Sequence, residues 1–238
     1  MRIFAIYGSS RGKGNSDLLT NIITDGLNCT RVYLKDYTIE PILDQRYEPG
    51  GFQPINDDHP QLVQEMLNHD MIVFATPLHW YSIPGKVKNF IDRWTMYFDD
   101  HNFKERMAEK EVLLVITGGD NPRVKGLTVV QQFHWICDFM DMTFFDYVIG
   151  EGNTQGEVRQ DMEAMSKAEH LNHILRSRSR VSRPHTATTP ASATPAVRPP
   201  APENRPDPAQ TAPERQRKTG MFRSLFTRGG NTRGGNGR

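Results

Sequence analysis

Cysteine is scarce in this 238-residue sequence, with Cys29 and Cys137 alone. Two cysteines cannot build the disulfide framework of a small secreted scaffold, and both read as structural thiols suited to a reducing, cytoplasmic setting. Long apolar runs are missing too. No stretch approaches the ~18 apolar residues of a membrane-spanning helix, so no transmembrane segment is expected. The opening Met-Arg-Ile-Phe-Ala-Ile-Tyr turns polar at Gly8, too short for a signal-peptide core. Metal-ligand spacing is also lacking. His59, His69, His101 and His134 form no pattern, and His170 and His173, at i, i+3, have no obvious carboxylate partner.

Net charge is nearly absent at +1, but that total conceals two opposite halves. From residue 177 onward there are eleven Arg and one Lys against two Glu and one Asp, a net of +9, which leaves −8 on the first 176 residues. The same tail holds nine of the sixteen prolines and neither Trp nor Tyr. A Thr-, Pro- and Ala-rich stretch of that kind cannot bury enough apolar surface to offset the entropy of ordering it. Three regions are therefore expected: a globular domain over 1–176, a Pro-rich disordered basic linker over 177–219, and a short apolar and basic peptide over 220–238. Within the last, Phe222, Leu225 and Phe226 form an apolar patch between Met221 and Arg228, followed by two Arg-Gly-Gly copies. It suits a docking peptide for a protein partner or compartment shell. Contact with an anionic membrane surface, RNA binding and an inert solubilising tail stay open as alternatives, though two Arg-Gly-Gly copies argue little for RNA.

What the first part does contain is alternation. Apolar runs at 3–7, 31–34, 71–75, 112–117 and 144–149 read as strands, and helical periodicity appears over 17–27, 62–69, 87–98, 127–140 and 156–175. Between the second strand and second helix, Pro41, Pro49, Gly50, Gly51 and Pro54 mark a long loop. Five strands alternating with five helices predict an α/β fold with a doubly wound parallel sheet, whose ligands bind at the carboxyl ends of the strands.

Three of those strand ends carry chemistry. The first runs Gly8-Ser-Ser-Arg-Gly-Lys-Gly-Asn-Ser16 straight into a helix, where free N–H groups and the helix dipole favour a phosphate. Neither a Walker loop nor G-x-G-x-x-G fits its spacing, and an ordinary βα turn with Ser16 as N-cap is the plainer alternative. The third strand leads into Thr76-Pro-Leu-His-Trp-Tyr-Ser-Ile-Pro-Gly85, three ring side chains in a row at the binding edge. They suit a flat heteroaromatic ligand, unless Trp80 merely fills core. The fourth ends in Thr117-Gly-Gly-Asp-Asn-Pro122, where two glycines allow close backbone approach and Asp120 can accept from a ring N–H.

Taken together, Gly-Ser-x-Arg-x-x-Gly-Asn-Ser, Pro-x-x-Trp with a downstream Lys-x-Phe-x-Asp-Arg, and Thr-Gly-Gly resemble the NADPH-dependent FMN reductase family of flavodoxin-like proteins, over about residues 1–175. The resemblance implies sheet order 2-1-3-4-5, bound FMN, NADPH or NADH as donor, and dimers or tetramers whose partner helps enclose the flavin. By position it implies phosphate contacts from Ser9, Arg11, Asn15 and Ser16. Pro77, Leu78, His79 and Trp80 would flank the ring, and Thr117, Gly118, Gly119 and Asp120 would meet its polar edge. No catalytic acid or base is implied. The acceptor could be a quinone, free flavin, a nitroaromatic, or a ferric or other metal ion. Two departures stand out: residues 37–58 hold no cysteine, unlike the similar iron–sulfur flavoproteins, and His79 stands where Tyr is common. A flavodoxin-type electron carrier, or an FMN-binding scaffold recruited through its tail, are the competing readings. Asp92 and Arg93 read as anchors of a helix or subunit contact, and Met140 and Met142 as core.

Overall fold

Stretches rich in β-branched and aromatic residues become the five strands of the computed structural model, which describes residues 1–181. They are β1 (Ile3–Tyr7), β2 (Cys29–Tyr33), β3 (Met71–Pro77), β4 (Glu111–Gly118) and β5 (Thr143–Glu151). All neighbours pair in parallel, in the order β2-β1-β3-β4-β5. This is the flavodoxin-like arrangement that the resemblance implied. Every residue of β1 is buried, as are all but the last of β3, because helices cover both faces of the sheet.

The helices are α1 (Asn15–Ile23), α2 (His59–Leu67), α3 (Gly85–Asp92), α4 (His101–Ala108), α5 (Pro122–Lys125), α6 (Leu127–Phe139) and α7 (Met162–Val181). Alternate strand residues divide into two cores. Phe4, Ile6, Phe74 and Leu114 pack with Val63 and Met66 of α2, Phe90 of α3, Phe103 of α4 and Phe133 of α6. Ile3, Ala5, Val73 and Val115 pack with Leu19 and Ile23 of α1 and Ala168, Leu171 and Leu175 of α7. Cys137, Met140 and Met142 are buried in the first of these cores, and burial pushes the Cys137 thiol up to about 12.

Several boundaries differ from the expected ones. The first helix begins at Asn15, not at residue 17, so Ser16 lies inside it and Gly14 is the N-cap. The third helix gives way after Asp92 to a 3-10 turn over Arg93–Tyr97. The closing segment opens with another 3-10 turn over Glu157–Gln160 before α7 runs on to Val181. On that extension Arg178 donates to both carboxylate oxygens of Glu111 at 2.9 Å. The remainder of the expected linker and the whole of 220–238 lie outside the described residues. The periodicity reading missed α4 and α5. The signals were present: Asp100 accepts from the Asn102 and Phe103 N–H groups as an N-cap, and Pro122 occupies the first turn of α5.

Residues 37–58 hold neither helix nor strand and are pinned from α3 onward. Lys86 Nζ donates to the carbonyls of Leu34 at 3.0 Å and Tyr37 at 2.8 Å. Arg93, only 1% exposed, donates through Nη1 to Asp57 at 2.6 Å and to the Glu40 carbonyl at 3.1 Å. The anchoring role expected of Arg93 is what it performs, whereas Asp92 pairs with Lys88 on the surface.

Candidate cofactor-binding site

Strand order reverses beside β1, where the chain moves from β2 on one side to β3 on the other, and the loops after β1 and β3 flank the crevice this opens. In the first loop the Gly8 N–H donates to the Ala75 carbonyl at 2.8 Å. A Cβ on Gly8 would come within 2.3 Å of Val87 Cγ2, so close packing of α3 requires glycine there. Ser9, buried, accepts from the Arg11 N–H at 3.2 Å. Lys13 turns the chain with φ of 60°, and Gly14 enters α1 extended. No side chain caps α1, so its first-turn N–H groups, with exposed Arg11 and Lys13 nearby, offer an anion site. Asp17 of the same turn is buried, and that burial pushes its carboxyl up, disfavouring a negative charge there.

Ser16 is buried in the first turn, as a phosphate ligand or a packed hydroxyl would be. Asn15 is placed differently from the expectation. Its Nδ2 donates to the Thr154 carbonyl at 2.9 Å, and its Oδ1 accepts from the Gly156 N–H at 2.8 Å. The side-chain amide faces the loop after β5.

Beyond β3, the Leu78 N–H donates to the Thr117 carbonyl at 2.8 Å, tying the second loop to the end of β4. His79 and Ser82 exchange backbone bonds of 2.9 and 3.0 Å around Trp80 and Tyr81, whose φ values are 50° and 62°. Turns of this handedness favour Asn-Gly, and bulky residues held there cost about 1–3 kcal/mol each. Trp80 is 95% exposed, which removes the reading in which it fills core. The turn is latched from outside. Tyr81 Oη donates to Asp120 at 2.9 Å, Lys125 pairs with Asp120 and lies 5.0 Å over the Tyr81 ring, and Thr128 donates to the Tyr81 carbonyl.

Thr117 is buried at the end of β4, and the two glycines after it are hemmed in. A Cβ would lie 3.2 Å from Leu78 Cδ1 at Gly118, and 2.7 Å from Asn153 Cβ at Gly119. Leu78, Trp80, Tyr81, Gly118, Gly119 and Asp120 line one cleft of about 200 Å³, which brings the second and third loops together; Pro77 and His79 flank it in sequence without lining it. A neighbouring cleft of about 430 Å³ shares Gly119 and is walled by Arg123, Glu151, Gly152 and Asn153, among others. That wall, the loop after β5, was missed in the sequence. Gly150, Gly152 and Gly156 around a strand end were the available signal.

An uncapped helix start and a glycine-floored aromatic cleft, both at the carboxyl ends of central strands, fit the phosphate and ring ends of a flavin nucleotide. The family model for NADPH-dependent FMN reductases matches residues 1–153. The chain belongs to that family. A putative NAD(P)H-dependent FMN-containing oxidoreductase of Bacillus subtilis is 40% identical over 174 residues, covering 72% of this chain and 96% of the relative. The solved structure of a Trp repressor binding protein from Bacillus subtilis has a TM-score of 0.60 at 36% identity, covering 71% of this chain and 99% of that one. An FMN-dependent NADH-azoreductase from Bacillus anthracis, solved with FMN, has a TM-score of 0.55 over 74% of this chain and 99% of its own. At 14% identity that likeness is one of fold alone. As a member of the FMN reductase family the chain is an oxidoreductase that uses FMN and a reduced nicotinamide, which favours the enzyme reading over the electron carrier. Among the described residues, no helix is long and apolar enough to cross a membrane.

Proposed function

We propose that FMN lies along the carboxyl ends of β1, β3 and β4, and that electrons from NAD(P)H leave through the Trp80 side to a small flat acceptor. The observation that carries this is the single cleft built jointly by Leu78, Trp80 and Gly118 to Asp120, together with the uncapped start of α1 after the adjacent strand β1. Ser9, Arg11, Ser16 and the first-turn amides of α1 hold the phosphate. Pro77, Leu78, His79 and Trp80 bound one side of the ring, and Thr117, Gly118, Gly119 and Asp120 meet its polar edge. The chemistry that FMN supplies when bound is hydride acceptance from the nicotinamide and delivery of electrons onward. The protein orients the ring, excludes water from its buried side and needs no acid or base of its own. A quinone, a nitroaromatic, free flavin or a ferric complex fits such an open face.

Oligomerisation is the second part of the proposal. A cleft of about 200 Å³ falls below the ~300–1,000 Å³ of sites that enclose a ligand, so another surface should complete it. Val124, Leu127, Trp135 at 66% exposure and Phe139 at 70% form an apolar stripe running from α5 along α6. Thr128, on the same helix, bonds the Trp80–Tyr81 turn, so a second copy seated on the stripe would border the flavin cleft. The residues beyond the globular part act apart from the chemistry: the segment from Met221 to Arg228 docks a partner or shell across a basic Pro-rich tether. Two cysteines without a disulfide support a cytoplasmic location.

Purified protein reconstituted with FMN is to be titrated anaerobically with NADPH and with NADH while the visible flavin band is followed. Bleaching within seconds is expected, with ping-pong kinetics towards a quinone. Protein that neither retains FMN nor oxidises the nicotinamide would refute the site.

A further inference from the structure

We infer that Asn15 is a positioning residue for the flavin ring, acting through the loop over 152–158, and not a ligand of the phosphate. The inference rests on the placement of FMN given above, and it reassigns one of the residues expected to hold the phosphate. Asn15 opens α1, where a side chain turned towards the loop over 9–14 would meet an anion directly. Instead it is buried and turned across the crevice. Its nitrogen, the only atom of the side chain able to donate, bonds the Thr154 carbonyl at 2.9 Å. Its oxygen accepts from the Gly156 N–H at 2.8 Å and lies 3.5 Å from the Val158 N–H. The backbone of Gly152 closes over that nitrogen, where a Cβ would come within 2.9 Å of it.

The loop so held does not depend on Asn15 for its internal shape. Glu157 Oε2 accepts from the Asn153 N–H at 2.8 Å and the Thr154 N–H at 2.7 Å, closing the turn locally. What Asn15 supplies is the loop's position relative to the sheet. Downstream of that position lies the ring cleft. The Gly152 N–H donates to the Gly118 carbonyl at 2.9 Å, and Asn153 packs so tightly on Gly119 that a Cβ there would approach it to 2.7 Å. Asn15 therefore couples the start of α1 to the floor under the flavin's polar edge. Buried amide bonds of this kind transmit position well, because leaving either partner unpaired costs more than the bond contributes.

The test separates the two roles by the phosphate itself. Apoprotein is titrated with FMN and with riboflavin, which lacks the phosphate, and flavin fluorescence quenching is read. For Asn15→Ala both dissociation constants should rise by the same factor, about tenfold or more, leaving their ratio unchanged. The visible band of FMN bound at saturation should shift as well. Gly152→Ala, which disturbs the same loop from its other side, should reproduce both effects and covers the case in which Asn15→Ala does not fold. A loss confined to FMN, or no loss and no spectral shift, overturns the inference. Arg11→Ala tests the underlying placement separately and should weaken FMN alone. If it weakens riboflavin equally, the phosphate site is wrong irrespective of what Asn15 does.

Discussion

Two loops of this molecule are held by the same kit of parts, an acidic residue, a cation and a tyrosine, with opposite consequences. The segment over 37–58 is locked by Asp57 and Arg93, both with buried side chains, while His59 behind them bonds the Phe90 carbonyl at 2.9 Å and the Tyr97 hydroxyl at 3.3 Å. The Trp80–Tyr81 turn is latched by Asp120, which is exposed, and by Lys125 and Tyr81, which are partly so. Out of water a charge pair must be complete or the fold suffers. In water the same pair contributes little and can open. The lock belongs to the scaffold, and the latch borders the cleft that we propose holds the flavin ring.

The lock should break hardest when halved. Arg93→Ala leaves Asp57 buried and uncompensated, and unfolding by urea should show a loss of about 3–5 kcal/mol. Adding Asp57→Ala should recover much of it. A loss no larger than that of a surface pair would remove the distinction between the two loops.

Acid is the next largest perturbation. Burial lowers the pKa of His59 from its ordinary 6.5 to about 4, so it is neutral in the fold and takes up a proton more readily once unfolded. Its contribution is complete above pH 6.5, falls as the pH drops from there, and is gone below about 4. At about 1.4 kcal/mol per pH unit the loss amounts to roughly 3 kcal/mol. Burial would raise the Asp57 carboxyl, but bonds from Arg93 and from the Glu40 and His59 N–H groups hold it below the usual range. Its share of stability therefore goes at still lower pH. Flat unfolding free energies between pH 6.5 and 4.5 would contradict this.

The latch side offers smaller effects of opposite sign. Trp80→Gly removes a bulky residue from a left-handed position and sacrifices almost no packing, so the apoprotein should gain roughly 1 kcal/mol. The same change should weaken flavin binding. Destabilisation instead would mean that the turn is not strained.

Asp120→Asn should do least to the fold. Bonds from Lys125 and then Tyr81 hold the Asp120 carboxyl low, a contribution present above the usual carboxylate range and lost as the pH falls. It is exposed and screened by salt. The unfolding midpoint should stay unchanged while the KM for the nicotinamide or the acceptor moves. A lowered midpoint would make the latch structural.

Much of this was legible along the chain, for physical reasons. β1, β3 and β4 are short apolar runs bounded by polar and glycine-rich loops, which favours strands buried on both faces, and the glycines ending β4 marked a close approach. The 3-10 turn over Arg93–Tyr97, the first turn of α1 and the wall over 152–158 were not legible in the same way. Each is set by what packs against it from elsewhere in the chain.

By itself the sequence determined the alternation of strands and helices, the polar loops at the strand ends and the family to which they belong, because these depend on local periodicity and on contiguous motifs. The tertiary structure alone decided which way Asn15 faces, that Trp80 stands in solvent, and that the loop after β5 packs on Gly118 and Gly119. Those outcomes depend on bonds between residues far apart in the chain, Asn15 with Thr154 across more than a hundred positions and Tyr81 with Asp120 across some forty, and no local pattern encodes such a partner.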